Sequence, residues 1–136
     1  MDNHFRELKQ GEVRMDRRVI LIVEDEMLIA YSLQKTLESW KFKVLPLVQS
    51  GEEAIISCAA NHPDLVIMDI NLKGRMDGIN AAKRIMSAHK TPIIYVTAYN
   101  DPKLISRALE TRPAGFLQKP ITDRQLRSTI YQLNFN

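Results

Sequence analysis

The chain has 136 residues, 45% of them apolar and 26% charged, which is the composition of one globular domain rather than of a disordered chain or a coiled coil. Its net charge of +3 is too small to indicate nucleic-acid binding, and its single cysteine, Cys58, excludes a disulfide framework and a cysteine-based zinc site. The N-terminus is charged throughout and no run of 18 apolar residues occurs, so we expect a cytoplasmic protein without a signal peptide.

We interpret residues 1–17 as a mobile N-terminal extension and residues 18–136 as one domain. Short, continuous, β-branched apolar runs are typical of strands buried on both faces of a parallel sheet. Three such runs are VILIV (Val19–Val23), LVIM (Leu65–Met68) and IIYV (Ile93–Val96). The run Phe42–Val48 predicts an edge strand, because Pro46 lacks an N–H donor, and Gly115–Gln118 is a fifth candidate.

Segments with helical periodicity separate these strands. Apolar residues recur every three or four positions in two stripes, Ala30, Leu33, Leu37 and Trp40, and Leu126, Ile130 and Leu133. Helix starts are marked by capping-box spacing or by an N-cap before proline, at Ser50 with Glu53, Thr122 with Gln125, and Asp101 with Pro102. Five strands alternating with five helices predict a (βα)5 chain, a doubly wound, five-stranded parallel sheet between two helical layers.

Function in such a fold is expected at the carboxyl ends of the strands. Polar side chains follow four of the five strands there: Glu24, Asp25 and Glu26 after the first, Asp69 and Asn71 at the third, Thr97 at the fourth, and Lys119 with Pro120 at the fifth. Neighbouring carboxylates repel each other by about 1 kcal/mol per pair at 4 Å in water and by more when desolvated. A divalent cation would neutralise them, and hard oxygen ligands select Mg²⁺ or Mn²⁺.

The remaining donors at this edge suit a phosphoryl group. The Thr97 hydroxyl and the Lys119 ammonium can bind phosphoryl oxygens, and Asp69 can then act as a nucleophile that forms an acyl phosphate. The three histidines, His4, His62 and His89, are scattered and predict surface positions.

At this point the sequence resembles the receiver domain of two-component response regulators, with the flavodoxin-like fold of the chemotaxis-type regulators. The matching pieces occur in order over roughly Arg18 to Leu133: LIVEDE (Leu21–Glu26), PDLVIMDINL (Pro63–Leu72), MDGI (Met76–Ile79), PIIYVTA (Pro92–Ala98) and GFLQKPI (Gly115–Ile121). One acidic pair or one Lys-Pro dipeptide would be weak evidence, but five pieces at matched strand ends are not expected by chance.

The resemblance implies roles for individual residues. Asp69 would accept the phosphoryl group from a histidine kinase or a phosphotransfer protein. The metal would be bound directly by Asp25, Asp69 and the main-chain carbonyl of Asn71, and by Glu24 through water. Thr97 and Lys119 would contact the phosphoryl group, Phe116 would be the switch aromatic, and the bond before Pro120 would be cis.

The sequence departs from the family pattern in four places, one of which is Glu24, where aspartate is more frequent. Phe116 replaces a more usual tyrosine, so its ring has no hydroxyl. Lys73 stands where a proline commonly follows Leu72, and the pair Gly74-Arg75 adds one residue to the loop. Asn71 and Tyr99 are expected to tune the lifetime of the phosphoryl group, and the bulk of Tyr99 predicts a long-lived phosphorylated state because it would hinder the hydrolytic water.

The resemblance implies that output passes through the fourth helix, the fifth strand and the fifth helix, by partner binding or by homodimer formation. We expect neither direct nucleic-acid nor membrane binding, and no helix-turn-helix is recognisable.

The chain is either a single-domain regulator or the receiver of a longer regulator or hybrid kinase. Alternatives are a pseudo-receiver that only binds partners, and a phosphatase-like enzyme that uses an aspartyl phosphate; Asn71 stands where the phosphatase needs a second aspartate. A receiver would be no enzyme beyond its own phosphorylation and dephosphorylation.

Overall fold

The computed structural model describes residues 18–98 and 100–133, and within these ranges five strands alternate with five helices, as predicted. The predicted extension, residues 1–17, lies outside the described residues. The strands are β1 (Val19–Val23), β2 (Lys43–Val44), β3 (Leu65–Asp69), β4 (Ile93–Thr97) and β5 (Gly115–Gln118). The helices are α1 (Met27–Ser39), α2 (Gly51–Asn61), α3 (Gly78–His89), α4 (Pro102–Glu110) and α5 (Asp123–Tyr131).

The sheet is parallel, with the strand order β2-β1-β3-β4-β5. The central strand β3 is buried along its whole length, which explains its continuous apolar sequence. One core cluster joins α2, α3 and α4 to one face of the sheet, and the other joins α1 and α5 to the opposite face. The predicted doubly wound, three-layer α/β fold is therefore confirmed.

The second strand is shorter than the sequence predicts. Only Lys43 and Val44 pair regularly with β1, and Val48 returns to make one isolated bridge with Val23. The N–H groups of Leu45 and Val48, three residues apart, donate to the carbonyls of Ile20 and Ile22, two residues apart, so one extra residue around Pro46 interrupts the ladder. The strand does lie at the edge of the sheet, as expected.

The predicted helix starts are present. Thr122 and Gln125 form a reciprocal capping box, and the Asp101 side chain accepts a hydrogen bond from the backbone N–H of Lys103. Ser50 caps α2 through the N–H of Glu53, but the Glu53 carboxylate accepts from the Ser50 hydroxyl and from the N–H of Gln49. The first turn of α2 is therefore capped without a full capping box.

Candidate functional site

Three carboxylates meet at the carboxyl edge of the sheet, as the strand order requires. Oxygens of Glu24, Asp25 and Asp69 all lie within 4.8 Å of one another. Glu24 and Asp69 are 2% and 5% exposed, while Asp25 is half-buried. Two nearly buried carboxylates beside a more accessible third are a donor set that suits a hard divalent cation such as Mg²⁺.

Lys119 lies between two of these carboxylates. Its Nζ is 2.7 Å from Glu24 Oε1 and 3.5 Å from Asp69 Oδ2, and its side chain is 14% exposed. Burial alone would lower the pKa of Lys119, but the hydrogen bond to Glu24 and the charges of Asp69 and Glu24 raise that pKa above its ordinary value. Lys119 is therefore a permanent cation at this site, and its shortest contact is with Glu24 rather than with Asp69.

Glu24 has a raised pKa in this site. Burial raises the pKa of Glu24 from 4.5 to about 7, against the lowering effects of its hydrogen bonds from Lys119 and from the Glu26 backbone N–H. Desolvation disfavours the charged carboxylate more than Lys119 stabilises it. Near neutral pH and without a cation, Glu24 is therefore partly protonated.

Thr97 and Asn71 are joined by a side-chain contact that the sequence did not predict. The Asn71 amide nitrogen donates to Thr97 Oγ1 at 3.0 Å, and the Asn71 backbone N–H donates to Asp69 Oδ1 at 3.0 Å. Thr97 is fully buried at the end of β4. Asn71 therefore links the carboxylate of the central strand to the hydroxyl of the neighbouring strand.

The unusual loop after β3 is attached to the acid cluster by its backbone. The N–H of Lys73 donates to Asp25 Oδ2 at 3.0 Å, and Gly74 adopts a φ of 104°, which disfavours residues with a Cβ. The position where the sequence departs from the expected proline therefore supplies an N–H that proline lacks. That N–H orients Asp25.

Of the other predicted site residues, Phe116 and Pro120 lie within the described residues and Tyr99 does not. Phe116 is half-buried with its ring centroid 6.4 Å from that of Tyr95, and the Lys119-Pro120 bond is cis, as the resemblance implied. Tyr99 lies outside the described residues, and so its predicted influence on phosphoryl lifetime stays a prediction.

A doubly wound parallel sheet with an acid cluster, a lysine and a hydroxyl together at its carboxyl edge is the arrangement that the sequence predicts for a receiver domain. The family model for the response regulator receiver domain matches residues 20–131. The chain belongs to that family, the receiver domains of two-component systems.

Relatives and solved structures agree with this assignment. The chain is 36% identical over 105 residues to the transcriptional regulatory protein PdtaR of Mycobacterium tuberculosis, covering 77% of this chain and 51% of that protein. It is 31% identical over 117 residues to the phyllosphere-induced regulator PhyR of Methylorubrum extorquens, covering 85% and 43%. The chain thus spans about half the length of these relatives or less.

Among solved structures, the signal receiver domain of a modulated diguanylate cyclase from Desulfovibrio desulfuricans superposes with a TM-score of 0.79 at 36% identity. The match covers 84% of this chain and 90% of that one. No helix within the described ranges is long and apolar enough to span a bilayer.

Proposed function

We propose that this chain is a Mg²⁺-dependent receiver module that accepts a phosphoryl group on Asp69. The observation that carries the proposal is the placement of the Asp69 carboxylate, within 4.8 Å of the Glu24 and Asp25 oxygens and 3.5 Å from Lys119 Nζ. Receiver domains as a family bind Mg²⁺ at such an acidic pocket and are phosphorylated by histidine kinases or phosphotransfer proteins.

In the proposed reaction an Asp69 oxygen attacks the phosphorus of a phosphohistidine. The new P–O bond forms as the P–N bond breaks, and the electron pair leaves with the imidazole nitrogen, which takes up a proton. Asp25, Asp69 and the Asn71 carbonyl would hold Mg²⁺ directly, with Glu24 bound through water, and the ion would offset charge on the transferred group. Lys119 and the Thr97 hydroxyl would contact the remaining phosphoryl oxygens.

The proposed output is a change in partner binding or dimerisation through the face formed by α4, β5 and α5, with Phe116 as the aromatic that responds to Thr97. Residues 18–136 would form this receiver domain after the extension of residues 1–17. The module would work in the cytoplasm as a signalling domain, without an enzymatic activity beyond its own phosphorylation and dephosphorylation.

Asp69→Asn is expected to abolish phosphorylation by small phosphodonors. Wild-type protein incubated with acetyl phosphate and Mg²⁺ should gain one phosphoryl group, detected by intact mass and removed by hydroxylamine, because an acyl phosphate reacts with that nucleophile. The amide at position 69 cannot form the acyl phosphate, so the variant should gain nothing. Asp123→Asn, at an exposed acid of α5, is the matched control and should react like wild type. An equal adduct on the Asp69 variant would refute the proposal.

The raised pKa of Glu24 predicts that stability without divalent cations falls as pH rises. The folded protein keeps the Glu24 proton up to a pKa of about 7, whereas the unfolded chain loses it near 4.5. Between these values the native state binds more protons, so the free energy of unfolding decreases with pH through this window and levels off above it. Mg²⁺ should raise the unfolding temperature more at about pH 8 than at about pH 5, because protons compete with the cation.

Thermal unfolding with and without a chelator measures this effect. Glu24→Gln should lose most of the pH dependence that wild type shows between these pH values. Glu52→Gln, at an exposed acid in the first turn of α2, should behave like wild type. If Glu24→Gln keeps the wild-type slope, Glu24 does not titrate in this window.

A further inference from the structure

Helix α4 is held to the domain by little apolar burial. Ala108 is its one fully buried residue, and Leu104 is partly buried against the core. Helix α3, by comparison, buries five residues on the same face of the sheet. The position of α4 therefore depends more on polar contacts than is usual for a helix packed on a sheet.

One side-chain hydrogen bond joins the C-terminal end of α4 to a buried residue of β4. The Tyr95 hydroxyl lies 2.8 Å from Thr111 Oγ1, and Thr111 is the C-cap of α4. Thr111 Oγ1 donates its single proton to the Ala108 carbonyl at 2.6 Å, so Tyr95 must be the donor in the first bond. Burial raises the pKa of Tyr95, and its hydroxyl therefore keeps this proton at neutral pH.

A second contact joins the same end of α4 to the loop after β3. Arg107 Nη2 lies 3.4 Å from Asp77 Oδ2, and the other oxygen of Asp77 caps α3 through the N–H of Asn80. Both contacts of α4 thus lead to segments that carry site residues, because β4 ends in Thr97 and the loop after β3 contains Asn71.

Tyr95 has a particular position in this arrangement. It lies two residues before Thr97 in β4, so both side chains point to the same face of the sheet. Phe116 is its partner in the ladder with β5, and the two rings are in edge contact. Of this aromatic pair, Tyr95 in β4 carries a hydroxyl and Phe116 in β5 does not.

We propose that Tyr95 is a positioning residue that couples the Asp69 site to α4 through its hydrogen bond to Thr111. This inference rests on the function proposed above. If Thr97 moved toward a phosphoryl group, Tyr95 would be displaced as well, because the two residues lie two positions apart in β4. A displacement of about 0.5 Å is enough to stretch an O–H···O bond of this length beyond its usual range, which would release the end of α4.

Hydrogen exchange of α4 amides, followed by mass spectrometry, tests the proposal. Without phosphodonor, α4 should exchange about 3- to 10-fold faster in Tyr95→Phe than in wild type, as expected for loss of one neutral hydrogen bond. Thr111→Ser keeps both bonds, and Tyr31→Phe removes a hydroxyl from a half-exposed residue of α1, so both should match wild type. Amides of α2, which carries none of these substitutions, serve as the internal reference for a change confined to α4.

Acetyl phosphate with Mg²⁺ then tests the coupling. Wild-type α4 should exchange faster once Asp69 is modified, approaching the rate in Tyr95→Phe, whereas Tyr95→Phe itself should change little. Equal α4 exchange in wild type and Tyr95→Phe before phosphorylation overturns the proposal. An adduct on Asp69 with unchanged wild-type α4 exchange overturns the coupling and leaves the proposed function intact. If no adduct forms, the proposed function fails and the coupling with it, while the comparison without phosphodonor still decides whether the Tyr95 bond holds α4.

Discussion

Lys119→Met is expected to destabilise the metal-free protein by roughly 3 kcal/mol at about pH 8, because it removes one partner of a buried ion pair. Glu24 and Asp69 are almost fully buried, and Lys119 Nζ is within 3.5 Å of a carboxylate oxygen of each. Methionine retains most of the aliphatic volume of lysine, so the effect reports on the lost charge and hydrogen bonds rather than on a cavity. In the proposed reaction, the same substitution should also greatly reduce phosphorylation of Asp69, since it removes a cation that would offset charge on the transferring group.

The pH dependence identifies the cause of this loss. Without Lys119, the pKa of Glu24 loses its main lowering influence and should rise further above 4.5. The variant should therefore lose more stability than wild type as pH rises through and above the titration of Glu24, and the difference should shrink toward about pH 5, where Glu24 is protonated in both. The raised pKa of Lys119 contributes stability that is fully present below its ordinary value of 10.5, so it does not vary within this range.

Chemical denaturation at the two pH values, with and without Mg²⁺, measures these differences. Mg²⁺ should restore part of the lost stability, because it neutralises the same carboxylates. Lys73→Met is the matched control: this side chain is exposed, and its contact to Asp25 is made by the backbone. A loss of stability as large in the control, or one independent of pH in the Lys119 variant, would contradict the ion-pair explanation.

The sequence predicts the fold well because the fold depends on patterns that are local. Continuous β-branched runs identify the strands at Val19, Leu65 and Ile93, and the caps at Thr122 and Asp101 identify helix starts. Parallel strands place their carboxyl ends at one edge, so the meeting of Glu24, Asp25, Asp69, Thr97 and Lys119 follows from order along the chain. The predicted strand over Phe42–Val48 is longer than β2 because the apolar pattern does not show the extra residue around Pro46 that interrupts the ladder.

The contacts within the site are less predictable. Asn71 reaches Thr97 across 26 residues of sequence, Lys73 reaches Asp25 across 48, and Lys119 reaches Glu24 across 95. Whether each of these hydrogen bonds forms depends on the donor–acceptor distance to within about 1 Å, because a hydrogen bond is lost when that distance grows by as much. No sequence pattern separates Glu24 from Asp69 as the closer partner of Lys119, because both are carboxylates at adjacent strand ends.

Gly78→Ala is expected to destabilise the protein by about 3 kcal/mol, which is at the upper end for a small-to-large change in a packed region. A Cβ at position 78 would lie 2.1 Å from the carbonyl oxygen of Asp69 and 2.9 Å from both the Asp69 carbonyl carbon and Ile70 Cα. These are backbone atoms, so no rotation of a side chain can relieve the overlap. Either the start of α3 moves away, which strains the 2.9 Å bond from the Gly78 N–H to the Ile70 carbonyl, or the end of β3 moves.

The second movement would displace Asp69, so the variant should also lose phosphorylation by acetyl phosphate by at least about tenfold, since misplacement by about 1 Å costs catalysis heavily. Gly51→Ala is a close control because Gly51 is the first residue of α2, as Gly78 is of α3. Its added Cβ would meet the Ala81 Cβ at 3.0 Å and the flexible Met76 side chain at 3.1 Å, and so it should cost less than about 1 kcal/mol. Equal losses of unfolding free energy in the two variants would mean that helix-start packing in general is responsible. A loss confined to Gly78→Ala would mean that the first residue of α3 must be glycine because the backbone that holds Asp69 passes directly against it.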